Sequence, residues 1–306
     1  NLGLLESGVA NIHLEEKEQS ISIRITKKGE ALISRARGEF TADLSHDRSK
    51  SRLLDPADPF LIEVGISDSS GKVKASKNDK YLQVEEFLRL LIPSLNSAIE
   101  AGHIKKPDSN NPLTIVDLGC GHAYLTFAAH QYLKSQGVAV KVVGIDVRES
   151  ARVRNNEIAK KLGITDSIEF RAEEIAETTL VQADVAIALH ACDTATDDAI
   201  AWAVKADAKL MMVAPCCHHD LQAQIDLVPE PWSLLTRHGV VSERLIDLMT
   251  DSLRAQILKL LGYRVDIVEF IGGEHTPRNI MIRAVKTGVK VDPVEVDRYQ
   301  AMLADW

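Results

Sequence analysis

The chain has 306 residues, 45% of them apolar and 26% charged, with a net charge of −8 at neutral pH. That length allows one large α/β domain with a smaller appendage. No apolar run reaches the roughly 20 residues that cross a bilayer, no charged-then-apolar leader opens the chain, and the acidic balance argues against a protein coated by nucleic acid.

The first 20 residues are acidic and weakly patterned. Ile21-Ser-Ile-Arg-Ile-Thr26 alternates apolar and polar, Lys27-Lys-Gly-Glu30 supplies turn chemistry, and Ala31-Leu-Ile-Ser-Arg-Ala36 returns, which predicts a β-hairpin. Residues 21 to 80 carry twelve Lys or Arg against nine Asp or Glu, while residues 81 to 306 carry 23 against 31. A mildly basic arm before an acidic domain is compatible with RNA docking and equally with a solvated charged surface. Asp55-Pro-Ala-Asp-Pro59 reads as a loop, and a small module, a candidate for substrate binding, is expected over residues 1–76. From Lys77 to about Leu91, Tyr81, Val84, Phe87, Leu88 and Leu91 recur at helical spacing, with Pro93 expected to kink or end the helix.

Strands and helices then alternate. Strands are expected at Leu113 to Leu118, Val138 to Asp146, Ser167 to Phe170, Ala183 to His190 and Lys209 to Pro215. Helices are expected at Ala123 to Ser135, Ser150 to Leu162, Asp197 to Val204 and Ser242 to Leu261. Val265 to Ile271 and Asn279 to Val285 read as a closing antiparallel pair. This order predicts a Rossmann-like, seven-stranded, mostly parallel sheet with one reversed strand over residues 77–306.

All four cysteines fall at or just past the carboxyl end of an expected parallel strand, where open α/β sheets bind ligands. Cys120 lies in Asp117-Leu-Gly-Cys-Gly-His-Ala123, Cys192 in Leu189-His-Ala-Cys-Asp193, and Cys216 and Cys217 in Pro215-Cys-Cys-His-His219. Two are adjacent and none stands in a spaced Cys-x-x-Cys, which fits a reducing compartment and a cytoplasmic location. The turn at 117–123 follows a strand and opens a helix, with Gly119 and Gly121 letting the backbone turn and approach a ligand. Asp146, ending the second strand, is placed to accept from two ribose hydroxyls, and Glu174 supplies an acid after the third. With Asp117 before the first glycine, these features favour S-adenosylmethionine over a nicotinamide cofactor. The competing reading is a helix-capping turn with incidental acids.

On these residues the chain resembles the class I S-adenosylmethionine-dependent methyltransferases. More narrowly it is similar to an uncharacterised bacterial group that carries Leu-His-Ala-Cys-Asp-Thr-Ala-Thr-Asp, Pro-Cys-Cys and Glu-His-Thr-Pro-Arg/Lys-Asn segments, here at 189–197, 215–217 and 274–279. The resemblance covers roughly residues 20 to 286; it implies the fold and the methyl donor and leaves the acceptor open. A shorter similarity joins His190, Cys192, Thr196, Asp197 and Cys216-Cys-His-His219 to the tRNA 2′-O-methyltransferases of the acceptor stem. This chain departs from them with Leu189 in place of Lys and Asp193 in place of Gly. That similarity implies an RNA acceptor, tRNA or rRNA.

The rim beyond the donor turn has several readings. Methyl transfer is an in-line displacement, so His190 is a candidate base, and a second cofactor contact, with Asp193 orienting it. Cys192 and Cys216 are candidate nucleophiles of the kind that attack carbon 5 of cytosine. A zinc site from His190, Cys192, Cys217 and His218 or His219 lacks the usual ligand spacing. Adjacent Cys216 and Cys217 would also point to opposite faces of an extended backbone, so no metal is expected. The remaining reading makes the cysteines small apolar fillers. Cys120 is taken as part of the cofactor turn, and Lys77, Lys80, Gln83, His218, Arg278 and Asn279 as candidate substrate contacts. Asp220 to Val241 is long enough for a substrate lid. A protein or small-molecule methyltransferase, and a non-catalytic S-adenosylmethionine-binding protein, are the alternatives; no membrane partner is expected.

Overall fold

The computed structural model describes residues 11–15, 19–25, 31–37, 52–179, 181–189, 191–225, 228–270 and 280–306. The chain divides into two compact units, Asn1–Ser51 and Arg52–Trp306. In the first, β1 (Asn11–Glu15), β2 (Gln19–Ile25) and β3 (Ala31–Arg37) form an antiparallel sheet in that order. The expected hairpin is the β2–β3 pair, with Ile23 opposite Ile33. The third strand, β1, comes from a stretch too short for its alternation to stand out.

The boundary between units lies earlier than the sequence suggests. Residues 52–76 belong to the second unit, because Leu54, Phe60, Leu61, Val64 and Ile66 are all at most 5% exposed in the same core as the large sheet. The Asp-Pro stretch taken for a loop starts helix α1 (Pro59–Glu63): Asp58 Oδ1 accepts from the Phe60 N–H at 3.1 Å and Pro59 sits in the first turn, where its missing N–H costs nothing. The preceding residues are tied to helix α2 (Asn78–Glu100) by Glu85, whose carboxylate accepts from the N–H groups of Leu53 and Leu54, and by Tyr81, whose hydroxyl donates to Leu54 O at 2.7 Å. Helix α2 continues through Pro93, so of the two expected outcomes the proline does not end it. Pro93 lies on the exposed side, while Leu91, Leu95 and Ala98 continue the buried stripe, so packing overrides the lost hydrogen bond.

The sheet contains β4 (Leu113–Leu118), β5 (Val140–Asp146), β6 (Ile168–Ala172), β7 (Val185–Ala188), β8 (Leu210–Val213), β9 (Tyr263–Glu269) and β10 (Ile280–Lys286), in the order β6-β5-β4-β7-β8-β10-β9. Only β10 is reversed, antiparallel to both β8 and β9. Helices α3 (Tyr124–Ser135), α4 (Glu149–Lys161), α5 (Thr194–Lys205), α6 (His219–Gln224), α7 (Gly239–Leu260) and α8 (Pro293–Asp305) complete the unit. Successive strand residues feed opposite faces. Ile115, Val185, Ile187, Leu210 and Met212 join the core with α2 and α3, whereas Val116, Ala186, Ala188, Met211 and Val213 join the core with α5 and α7. Each buried apolar side chain of this size contributes roughly 1.5–3 kcal/mol, and two buried faces explain why these strands read as unbroken apolar runs. Among the described residues no helix is long and apolar enough to cross a membrane.

Candidate active site

The parallel strands β4, β5, β6, β7 and β8 all end on one edge of the sheet, and the turns leaving that edge build the site. After β4 the chain passes through Gly119 (φ +78°), Gly121 (φ +56°) and Ala123 (φ +57°) before α3 begins. A Cβ at Gly119 would lie 3.2 Å from Ala191 N and 3.3 Å from its Cα, and one at Gly121 would lie 3.4 Å from Arg148 Nη2. Gly119 therefore favours glycine for space as well as for φ and Gly121 for φ alone, while Ala123 carries the left-handed strain itself. Cys120 is buried, its Sγ 3.1 Å from where a Cβ on Gly144 would stand. Burial, then Asp117 and Asp146, push its thiol well above the usual range, so this cysteine is a filler of the turn.

Asp146 ties the glycine turn to β5. One of its oxygens accepts from the Gly121 N–H at 2.8 Å and from Arg148 Nη2 at 3.0 Å; the other accepts from the Arg148 N–H and Nε at 3.0 and 2.8 Å. Burial acts to raise its pKa, but the Arg148 guanidinium and the two backbone N–H groups outweigh it and hold the carboxyl below its ordinary value. Asp117 behaves oppositely. Buried and accepting from Thr126 Oγ1 at 2.5 Å, it is pushed up to about 7, chiefly by burial.

After β6 come two adjacent acids in different surroundings. Glu174 is exposed and caps a short 3-10 turn, whereas Glu173 donates its N–H to Asp146 O at 3.2 Å and keeps a buried Oε2 without a hydrogen-bond partner. Val147, directly after Asp146, is 65% exposed. Lys77, Lys80 and Gln83 are half-buried at the start of α2, with Lys80 Nζ donating to Gln83 Oε1 at 2.8 Å. Burial, then Lys77, lowers the Lys80 pKa. The His122 ring, in the donor turn, is lowered by burial and then by Arg154, Arg148, Lys77 and Lys80, so these cations gather around the turn.

The other half of the edge holds the thiols. Beyond β7, Cys192 is exposed; beyond β8, Cys216 and Cys217 are half-buried. The Sγ atoms of Cys192 and Cys216 lie 3.2 Å apart and those of Cys216 and Cys217 3.7 Å apart, with all three within 4.8 Å of one another. The expectation that Cys216 and Cys217 diverge is overturned, because β8 ends at Val213 and the backbone at 214–218 is no longer strand. Burial first, then the two neighbouring thiols, push Cys216 above the ordinary thiol range, which weakens it as a thiolate nucleophile. Asp193 has φ +53° and ψ −125°, a conformation glycine adopts freely and other residues rarely. Its Oδ1 accepts from the Asp220 N–H at 3.1 Å, joining the two thiol loops.

His218, expected as a substrate contact, lies buried between two carboxylates. It is 2% exposed, with Nε2 2.9 Å from Asp251 Oδ2 and Nδ1 3.5 Å from Asp247 Oδ1. Asp251 also accepts from Arg254 at 3.1 Å, and Arg254 donates to both oxygens of Asp197 and to Asp193 O. Sequence reading missed Asp247, Asp251 and Arg254. Their available signal was a polar stripe at spacings of four and three along α7, beside buried Ile246 and Leu258. His190, Arg278 and Asn279 lie outside the described residues. In the segment expected to be a lid, Trp232, Leu234, Leu235, Val240 and Val241 are all more than 40% exposed.

Residues 79–224, from α2 through α6 and just under half of the chain, match the family model described as a methyltransferase domain, a span that includes the glycine turn and both thiol loops. A search of curated proteins gives no match. Among solved structures, the magnesium protoporphyrin IX methyltransferase of Synechocystis PCC 6803 with bound SAH is 16% identical, with a TM-score of 0.42, covering 75% of this chain and 93% of its own. A SAH-bound methyltransferase of Podospora anserina is 12% identical at a TM-score of 0.44, covering 75% and 88%. The geranyl diphosphate C-methyltransferase of Streptomyces coelicolor A3(2) is 13% identical at 0.39, covering 76% and 88%. Likenesses of this size carry no functional argument for this chain.

Proposed function

We propose that the chain is an S-adenosylmethionine-dependent methyltransferase whose acceptor is RNA, tRNA or rRNA. The observation that carries the donor assignment is the conjunction at the ends of β4, β5 and β6. A turn through Gly119 and Gly121, both at positive φ, is hydrogen-bonded to the Asp146 carboxylate, and beside it lies the buried, unpartnered Oε2 of Glu173. The donor, when bound, supplies an electrophilic methyl group on a sulfonium. Asp146 has the ionised carboxylate that two ribose hydroxyls need, and its present partner, the Arg148 side chain, is 58% exposed and can exchange into solvent. Glu173 offers an acceptor for a donor amino or hydroxyl group, and Val147 an apolar surface for a base. Gly119 and Gly121 let the backbone approach the ligand closely.

The chain's part in the chemistry is alignment and proton removal. A hydroxyl acceptor must lose a proton as the methyl arrives, and Asp193, held at the joint of the two thiol loops, is the described carboxylate of that rim, with His190 as its neighbour in sequence. For RNA the support is the gathering of Lys77, Lys80, Arg148 and Arg154 around His122 in an otherwise acidic chain, together with the motif similarity to the tRNA enzymes. A protein or small-molecule acceptor is the second reading, favoured by the excess of acid over base after residue 80.

The test is transfer of radiolabelled methyl from S-adenosylmethionine into extract of cells lacking this protein, followed by separate RNase and protease digestion. Label released by RNase is the expected result. Label released only by protease moves the acceptor to protein, and donor binding without any transfer makes the chain a non-catalytic binder.

A further inference from the structure

The three cysteines at the rim form a constellation that methyl transfer does not explain. Cys192 leaves β7 and Cys216 and Cys217 leave β8, and these adjacent parallel strands hold their ends side by side: Ala188 pairs with Val213, and the Ala214 N–H donates to Ala188 O at 2.9 Å. A tetrahedral ion with metal–sulfur bonds of about 2.3 Å sets its sulfurs about 3.8 Å apart. The observed separations are 3.2 and 3.7 Å, with the third within 4.8 Å. The two shorter separations fall within about 0.6 Å of that spacing. We propose that Cys192, Cys216 and Cys217 bind a single zinc ion through three thiolates and leave the fourth coordination position open to water or to an oxygen or nitrogen ligand.

The surroundings suit a preorganised site. Arg254 of α7 donates to Asp193 O, next to Cys192, and Asp251 of the same helix holds His218, next to Cys217. The Asp220 N–H closes the bridge between the loops by donating to Asp193 Oδ1. One helix therefore fixes the backbone beside two of the ligands, the support that metal sites draw from their surroundings. Three thiols give up three protons to the medium as the divalent cation takes three thiolates, leaving a site of net charge −1 with no change of oxidation state. An open fourth position is the mark of a catalytic rather than a structural zinc site. Ala191, adjacent to Cys192, packs on Gly119 of the donor turn, so the ion would border the place where the methyl group is delivered. Its use to bind and acidify an acceptor heteroatom rests on the methyltransferase reading; the binding of the ion does not.

The experiment measures metal in protein purified under reducing conditions without chelator from zinc-supplemented cells. About one zinc per chain is expected, with Cys120→Ala retaining it and Cys192→Ser, Cys216→Ser and Cys217→Ser each losing at least about ten-fold in affinity. Cobalt titration of the reduced wild-type protein, which needs no variant to fold, should give the thiolate-to-cobalt absorption and strong visible bands of a tetrahedral site, competed away by zinc. Absence of both the metal and the cobalt spectrum overturns the proposal. So does retention of the ion by all three serine variants, or a Cys192–Cys216 disulfide, two hydrogens lighter by mass, in a protein that takes up no metal after reduction. Methyl transfer with an empty thiol site would overturn only the role in transfer and leave the donor assignment standing.

Discussion

The two halves of the site are built in opposite ways. The donor half is local: Asp117 to Ala123 is one turn, and Asp146 closes it from the neighbouring strand 25 residues on from Gly121. The thiol half is assembled at long range, because its loops are held by α7, with His218 bonded 33 residues ahead and Asp193 61 residues ahead. The difference teaches that a cofactor turn is specified by its own φ angles, whereas the acceptor rim depends on where a distant helix docks. Losing one half should therefore leave the other partly intact.

The largest expected effect is on the thiol half. Asp251→Ala removes a carboxylate that is 3% exposed and leaves Arg254, 4% exposed, short of a partner. Breaking a buried pair costs about 3–5 kcal/mol, to be read from the denaturant midpoint at constant slope. Donor affinity, corrected for the folded fraction, should change little; an equal loss in both would show that the halves are one unit.

Gly119→Ala tests their contact. The added Cβ meets the Ala191 backbone at 3.2–3.3 Å, in a left-handed turn. Strain of about 1–2 kcal/mol plus the displaced loop should lower stability by about 2–3 kcal/mol and disturb both the donor and the rim, measured by calorimetric donor binding and by the reactivity of Cys192.

A smaller effect separates two variants of one residue. Asp193→Gly and Asp193→Ala both lose the bond to the Asp220 N–H, but only glycine is at ease at φ +53°. Asp193→Gly should be the more stable by about 1–2 kcal/mol in parallel denaturation curves, and equal stability would remove the strain from the account.

A separate effect is a pH dependence carried by Asp117 beside the glycine turn. The folded Asp117 pKa of about 7 lies above its ordinary value of 3.8. Between those values the folded carboxyl keeps a proton that the unfolded chain has lost, so this group's contribution to stability declines as pH rises through the window. Asp117→Asn has no such loss. Its melting temperature relative to wild type should therefore rise between pH 5 and pH 8, and a constant difference would mean that Asp117 is not held protonated.

The fold of the glycine turn was almost wholly legible in the sequence because its signals are contiguous: two glycines after an apolar strand, an acid ending the next strand and a helix after the turn. The sequence pointed to Glu174, and the structure adds Glu173 beside it with the buried Oε2, because the side chains of neighbours leaving a strand diverge and sequence alone does not say which turns inward. The thiol half was legible in composition and not in geometry. Extended-backbone reasoning separated Cys216 from Cys217, yet β8 stops at Val213 and the sulfurs converge. His218 read as a substrate contact because nothing near it in sequence reveals Asp247 and Asp251. Residues 52–76 were misassigned for a related reason: their prolines look like a linker until Phe60, Leu61 and Ile66 are seen buried against the large domain. Tertiary partners, not local pattern, decide each of these cases.

The central claim is that the glycine turn and Asp146 form a methyl-donor site. It is tested most directly by titrating S-adenosylhomocysteine calorimetrically into the wild-type protein and into Asp146→Ala. Two hydrogen bonds to an ionised carboxylate, at about 1.5 kcal/mol each, correspond to roughly 10²-fold in affinity. The account predicts saturable one-to-one binding by the wild type and a loss of about that size in the variant; no binding by the folded wild type, or equal affinity in the two proteins, would contradict it.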